Sequence, residues 1–230
     1  MTLNLKITTH DNEWQPTYFA AMTGLFCGLY MITMAMNAKL IDVYGFILPV
    51  GIVTFPLCAI ITDILTEVYG FNRARQAIWT VLVCTVLFAA FTQLAILLPA
   101  ASFWTGQSGY AAIFGTSLRL AAAGCAAWVA GEFSNSFIMS KMKILQNARL
   151  MPVRFIGSTI VGQFFDTLVF GTVAFAGTMP VNKFIGLIVS IWLIKIAYEI
   201  VVLPLSVPIT NWIKRLEGVE HFDRQEIHIL

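Results

Sequence analysis

The stretch FPLCAIITDILTEVYG, residues 55–70, has the apolar density of a membrane-crossing helix, yet it carries Asp63 and Glu67 one turn apart. Spaced i,i+4, the two carboxylates share one helix face. A charged group left facing lipid at the centre of a bilayer costs about 2.5–3.5 kcal/mol on insertion scales, so that face must turn toward other helices. The stretch predicts a helical bundle in a membrane with a polar interior, and Gly70 is placed to end its helix.

The rest of the chain agrees. Of 230 residues, 58% are hydrophobic and 11% charged, with a mean hydropathy of +0.80, whereas soluble domains carry about a quarter charged residues. Apolar windows near 17–37, 46–69, 76–98, 110–140, 154–177 and 182–212 are each long enough for the roughly 20 residues a crossing needs. The expected fold is an all-α integral membrane protein of six transmembrane helices. Its parts are an N-terminal tail (1–16), one transmembrane domain (17–213) and a C-terminal tail (214–230). The first window is too long for a signal-peptide core and follows a polar tail, so no cleavage is expected.

Lys and Arg set the orientation. With the N-terminus inside, cytoplasmic segments hold Lys6, Arg73, Arg75, Lys141, Lys143, Arg149, Arg154, Lys214, Arg215 and Arg224, against Lys39 and Lys183 outside; both termini are then cytoplasmic. The net charge of +2 reflects this topology and implies no nucleic-acid partner, though basic loops suit anionic lipid. Cys27, Cys58, Cys84 and Cys125 all fall in the apolar windows without a CxxC pair, and His10, His221 and His228 lie in the tails. No disulfide, metal or other cofactor is implied, and no buried catalytic histidine.

Helix punctuation adds detail. Pro56, Pro204 and Pro208 are expected to kink the second and sixth helices. The fourth window runs on to Lys141 and Lys143, as an amphipathic extension into the cytoplasm would. Ala20, Gly24 and Gly28, and likewise Ala123, Ala127 and Gly131, are small-xxx-small series expected to pack inside the bundle.

Seven charged residues lie within the windows: Asp63, Glu67, Arg119, Glu132, Asp166, Lys195 and Glu199. Five acids against two bases leave negative charge in excess. At about 1.5 Å per residue, Asp166 and Lys195 both lie near mid-membrane, about 18–20 Å deep, and could meet there. Two arrangements suit the set. One is a polar cavity that accepts donors or a cation. The other is a set of internal ion pairs, Lys195 with Asp166 or Glu199 and Arg119 with another acid, with Glu67 close enough to Arg73 or Arg75 to pair.

Several blocks carry a family resemblance. NAKLIDVYGFILPVGIVTFPLCAIITDILTEVYGFNRARQAIW (37–79) resembles the queuosine-precursor transporter family, also called the vitamin uptake transporter family, with its FP…D…EvyG…aR run. GSTIVGQFFDTLVFGTVAFAG (157–177) is similar to the family's S…GQ…DT…F helix, and GEFSNSFIMSKMK (131–143) and the lysine of IWLIKIAYEIVVLPL (191–205) fall in their expected places. The fourth helix departs: the family more often has Gln at Glu132 and an acid at Asn135.

The resemblance implies a bacterial inner-membrane importer of 7-deazaguanine bases, such as 7-cyano-7-deazaguanine, 7-aminomethyl-7-deazaguanine or queuine. It also implies a fold similar to the substrate-binding subunit of energy-coupling-factor transporters. The candidate substrate-binding residues are Asp63, Glu67, Asn37, Arg119, Glu132, Asn135, Gln163, Asp166 and Lys195. Carboxylates would accept the base's adjacent N–H donors and an amide such as Gln163 or Asn37 would donate to its carbonyl. Phe55, Phe164, Phe165, Trp192 and Tyr198 are candidate stacking platforms. A homo-oligomer or an energy-coupling partner is left open. The rival readings are a subunit that binds another vitamin-like molecule and needs a separate ATPase, since the chain has no GxxxxGK[ST] run, and a membrane aspartyl enzyme, which QFFDT around Asp166 disfavours.

Overall fold

The computed structural model describes residues 6–8, 15–37, 39–43, 46–115, 118–175, 177 and 180–221. Helices dominate: α1 (Phe19–Met36), α2 (Phe55–Tyr69), α3 (Phe71–Leu97), α4 (Gln107–Phe114), α5 (Leu118–Leu145), α6 (Met151–Phe175) and α7 (Val181–Glu217). Short strands β1 (Lys6–Thr8), β2 (Leu40–Val43), β3 (Phe46–Pro49) and β4 (Val219–His221) pair as a β2–β3 hairpin and a parallel β1–β4 ladder. Among the described residues, four segments are long and apolar enough to cross a membrane: Phe19–Met36, Phe71–Leu97, Met151–Ala174 and Phe184–Glu217.

Two windows differ from the expected single helices. Residues 46–69 divide into β3, a 3-10 turn at Val50–Val53, and α2. Pro56 lies in the first turn of α2, where its missing N–H has no helical acceptor to lose, so it starts the helix and does not kink it. Residues 110–140 divide at Gly115, whose N–H closes α4 onto the Ala111 carbonyl at 2.8 Å. Gln93 and Gln107 tie α3 and α4 together by donating to the Phe114 and Ile96 carbonyls at 2.9 and 2.8 Å. Pro204 and Pro208 lie within a continuous α7.

Helix α2 is the centre of the bundle. Every residue from Ile60 to Gly70 is buried, and its apolar members pack with Phe26 of α1, Ala74, Ala77 and Ile78 of α3 and Trp128 of α5. The sequence requires this placement, because no rotation of a helix bearing Asp63 and Glu67 on one face would suit lipid. Gly70, at φ 81° and ψ 171°, then turns the chain directly into α3, a backbone conformation open to glycine. Helix α3 shows the converse pattern. Phe71, Ala74, Ala77, Ile78, Val81 and Thr85 are buried, while Trp79, Val83, Val86, Phe91, Leu94 and Leu97 point outward. An outward face this apolar is a liability in water and the proper surface for lipid.

The α5–α6 pair sets the position of the polar residues. A Cβ added at Gly131 would lie 2.7 Å from Asp166 Cβ, and one at Gly162 would lie 2.7 Å from Asn135 Cβ and 2.9 Å from the Gly131 carbonyl. The two backbones thus touch through paired glycines. Ala123 and Ala127 are buried as expected. The Ala20, Gly24, Gly28 series is not: all three are exposed, and a Cβ at Gly24 or Gly28 would meet nothing within 4 Å.

Candidate functional site

A cavity of about 40 Å³ lies between α1, α2, α5, α6 and α7. Helical spacing explains which side chains reach it. Phe26, Tyr30 and Thr33 come from one face of α1, and Ala59, Thr62 and Asp63 from one face of α2. Trp128, Glu132 and Asn135 follow the same i, i+4, i+7 rule on α5, Thr159 and Gln163 on α6, and Glu199 completes the wall from α7.

The polar groups of this wall are mostly acceptors left over. Asp63 is 2% exposed and Glu199 4%, and Asn135 Nδ2 donates to Asp63 Oδ1 at a long 3.4 Å. Asp63 Oδ2, Glu132 Oε2, Asn135 Oδ1, Gln163 Oε1 and Glu199 Oε1 are buried and receive no N–H or hydroxyl donor from the described residues, while the Asp63 and Glu199 carboxyl groups meet each other. Buried polar atoms are normally satisfied, so five such oxygens around one space mark a place built for donors. An aromatic cluster lines the same cavity: the ring centroids of Tyr30 and Trp128 are 5.2 Å apart, with Phe26 6.4 Å from Tyr30 and 6.2 Å from Trp128.

One turn from Asp63, Glu67 is engaged quite differently. Arg154 of α6 donates Nε and Nη2 to its two oxygens at 2.7 and 2.6 Å, and Lys214 of α7 donates to Oε1 at 2.5 Å. Lys143 of α5 donates to the Glu67 backbone carbonyl at 2.6 Å. Glu220, just beyond α7, joins Lys143 and Lys214 at 2.7 Å each. Glu67 and Arg154 are both fully buried. The partners are thus cations of three later helices, where the sequence suggests Arg73 or Arg75. Lys143, expected on a helix projecting into the cytoplasm, is instead buried in this network, because Glu67 gives its charge a partner inside the bundle.

The remaining sequence candidates separate as follows. Asp166 and Lys195 do meet, as an ion pair between α6 and α7. Lys195 therefore turns toward α6, and Glu199, which the sequence suggests as its alternative partner, faces the cavity. Asn37 is exposed at the end of α1 with its amide against Gly51, and is not in the cavity wall. The side chains of Arg119 and Phe55 lie outside the described residues. Phe164 and Phe165 are exposed, Trp192 donates to the Ile160 carbonyl at 2.9 Å, and Tyr198 packs against the core. The aromatic wall comes from Tyr30 and Trp128 instead. The Trp128, Glu132, Asn135 spacing was the available sequence signal.

A multi-helix membrane protein whose buried, acceptor-rich cavity lies among its helices is built like a carrier of small solutes. The family model described as putative vitamin uptake transporter matches residues 49–209, a span holding most of the cavity wall, and the chain belongs to that family. It is a multi-pass membrane transporter, not an enzyme. It is 30% identical over 185 residues, 79% of this chain and 81% of the relative, to a "Probable queuosine precursor transporter" of Bacillus subtilis (strain 168). No solved structure matches it.

Proposed function

We propose that this protein imports queuosine precursors, 7-deazaguanine bases, across the bacterial inner membrane, and that the cavity beside Asp63 is where the base binds. The observation that carries the reading is the set of buried acceptor oxygens lining the same cavity as the Tyr30 and Trp128 rings. A 7-deazaguanine is flat, offers N–H donors from its ring and exocyclic amine, and carries one carbonyl. Asp63 and Glu132 accept the donors, the Gln163 or Asn135 amide turns its N–H to the carbonyl, and the aromatic wall covers a ring face. The name of the Bacillus relative supports the same substrate class.

In this reading Glu67 with Arg154, and Asp166 with Lys195, are internal ion pairs that hold the helices, and binding rests on Asp63, Glu132, Asn135 and Gln163. The chain crosses six times, by α1, α2 with the segment before it, α3, α5, α6 and α7, with both termini cytoplasmic. The architecture is that of an energy-coupling-factor substrate-binding subunit, in one domain. A cavity of about 40 Å³ has room for only a few waters. A bicyclic base therefore enters only when helices part, as alternating access requires.

The test is uptake. Cells unable to synthesise queuosine, expressing this protein and fed a 7-deazaguanine precursor, should regain the modified tRNA base. Unchanged tRNA in cells with confirmed membrane expression would refute the proposal.

A further inference from the structure

Among the described residues the cavity wall carries three carboxyl groups, Asp63, Glu132 and Glu199, and no lysine, arginine or histidine. The nearest lysine on these helices, Lys195, is engaged by Asp166 on α6. The next cations, Arg154, Lys143 and Lys214, are gathered on Glu67 and Glu220. Among the described residues each of these cations is thus held by an acid outside the wall, although Lys195 is also near enough to act on Glu132. Asp63 and Glu199 are more than nine-tenths buried and line the cavity with their carboxyl groups against each other, neither receiving an N–H or hydroxyl donor at Asp63 Oδ2 or Glu199 Oε1. Independently of the acids, Tyr30 and Trp128, packed on each other with ring centroids 5.2 Å apart and planes tilted by 50°, line the same cavity, and an aromatic face left open to it attracts a desolvated cation through the ring quadrupole.

Resting on the base-binding reading above, we propose that Glu199 and Glu132, with Tyr30 and Trp128, form an ammonium subsite, so that the transporter selects precursors bearing a protonated amine over neutral ones. Donor counting supports this. The unsubstituted base and its 7-cyano derivative offer two ring N–H groups and one NH2, four donors in all. Those four donors bring no positive charge to a wall of three carboxyl groups, of which Asp63 and Glu199 already bond to each other. A 7-aminomethyl group adds three donors and the missing positive charge. Hydrogen bonds from a cation to a carboxylate are about twice as strong as neutral ones. Glu199 is then the specificity-determining residue, reading the substituent while Asp63 reads the base.

The experiment compares affinities of the purified full-length protein for 7-deazaguanine, its 7-cyano derivative and its 7-aminomethyl derivative, in wild type and in Glu199→Gln and Glu132→Gln. The aminomethyl compound should bind at least tenfold more tightly than the other two, and the gap should narrow to within about threefold in at least one variant that retains the wild-type melting temperature. Each variant loses one charge without changing side-chain volume, so two give independent chances of a folded test protein. Equal affinities for all three ligands would overturn the subsite while leaving the base reading intact. A tenfold preference that survives both substitutions would overturn the assignment to these glutamates. Binding of none of the three would remove the base reading, and this inference with it.

Discussion

Glu67→Gln should destabilise the folded protein far more than Asp63→Asn, although the two acids are one turn apart on the same helix. Glu67 satisfies Arg154 through two bonds of 2.6 and 2.7 Å and Lys214 through one of 2.5 Å, with no water access. In the variant Glu220 still holds both lysines, so Arg154 is the charge left without a carboxylate. Breaking one side of a buried pair costs about 3–5 kcal/mol, which for a chain of this size corresponds to a fall in melting temperature of about 6–20 °C. Asp63 by contrast holds no cation, only a 3.4 Å contact from Asn135 and the neighbouring Glu199 carboxyl, both of which an amide can still bond, so Asp63→Asn should shift the melting temperature by only a few degrees while ligand affinity is lost. Melting curves in detergent, run beside ligand titrations, read both quantities. The double variant Glu67→Gln, Arg154→Met should recover part of the loss, because removing both charges leaves none stranded. A Glu67→Gln protein as stable as wild type, or an Asp63→Asn protein that collapses equally, would refute this division between a structural acid and a binding acid.

Three further outcomes are expected. Gly162→Ala should weaken ligand binding and cost about 1–3 kcal/mol in stability, since its methyl would lie 2.9 Å from the Gly131 carbonyl and drive α5 from α6; an unaltered melting curve would contradict the backbone contact. Gly28→Leu should leave stability unchanged, because nothing stands within 4 Å of its Cβ, and a loss of transport without a loss of stability would reveal another chain against that face. A cysteine placed in the 146–153 segment of a cysteine-free protein should resist impermeant reagents applied outside intact cells, as its basic flanks predict; external labelling would invert the topology.

Much of the fold was legible because lipid is a strict solvent. The windows of α1, α3, α6 and α7 needed only counting, and the buried acids had to face inward. Elements with competing signals were not legible. Residues 46–54 are as apolar as a helix, but Pro49, Gly51 and Pro56 deny it hydrogen bonds or rigidity, so a hairpin and a 3-10 turn form there. Within the site, Thr159 and Gln163 could be placed on one helix face by their i,i+4 spacing, whereas Asp63, Glu132 and Asn135 were candidates through their polarity in apolar windows and the family resemblance. Glu67 could not be told from Asp63, since its partners Lys143, Arg154 and Lys214 come from distant parts of the chain, and sequence spacing carries no information on which helices become neighbours. Glu199 was obscured by Lys195 four residues before it, an ordinary intrahelical pair that Asp166 supplants.

The clasp at the chain ends bears on how the protein is made. Glu217, in the last turn of α7, accepts the Thr17 and Tyr18 amides at the entrance of α1 at 3.0 and 2.9 Å, and the Tyr69 hydroxyl at 2.9 Å, while β1 pairs with β4 immediately beyond. The first helix leaves the ribosome with its opening amides uncapped, and the residue that caps them is translated about 200 positions later. Insertion can proceed helix by helix, but the clasp cannot close until Glu217 has been made. A nascent chain that stopped at Leu216, lacking Glu217 and Glu220, would carry every apolar crossing and still be a substrate for membrane quality control.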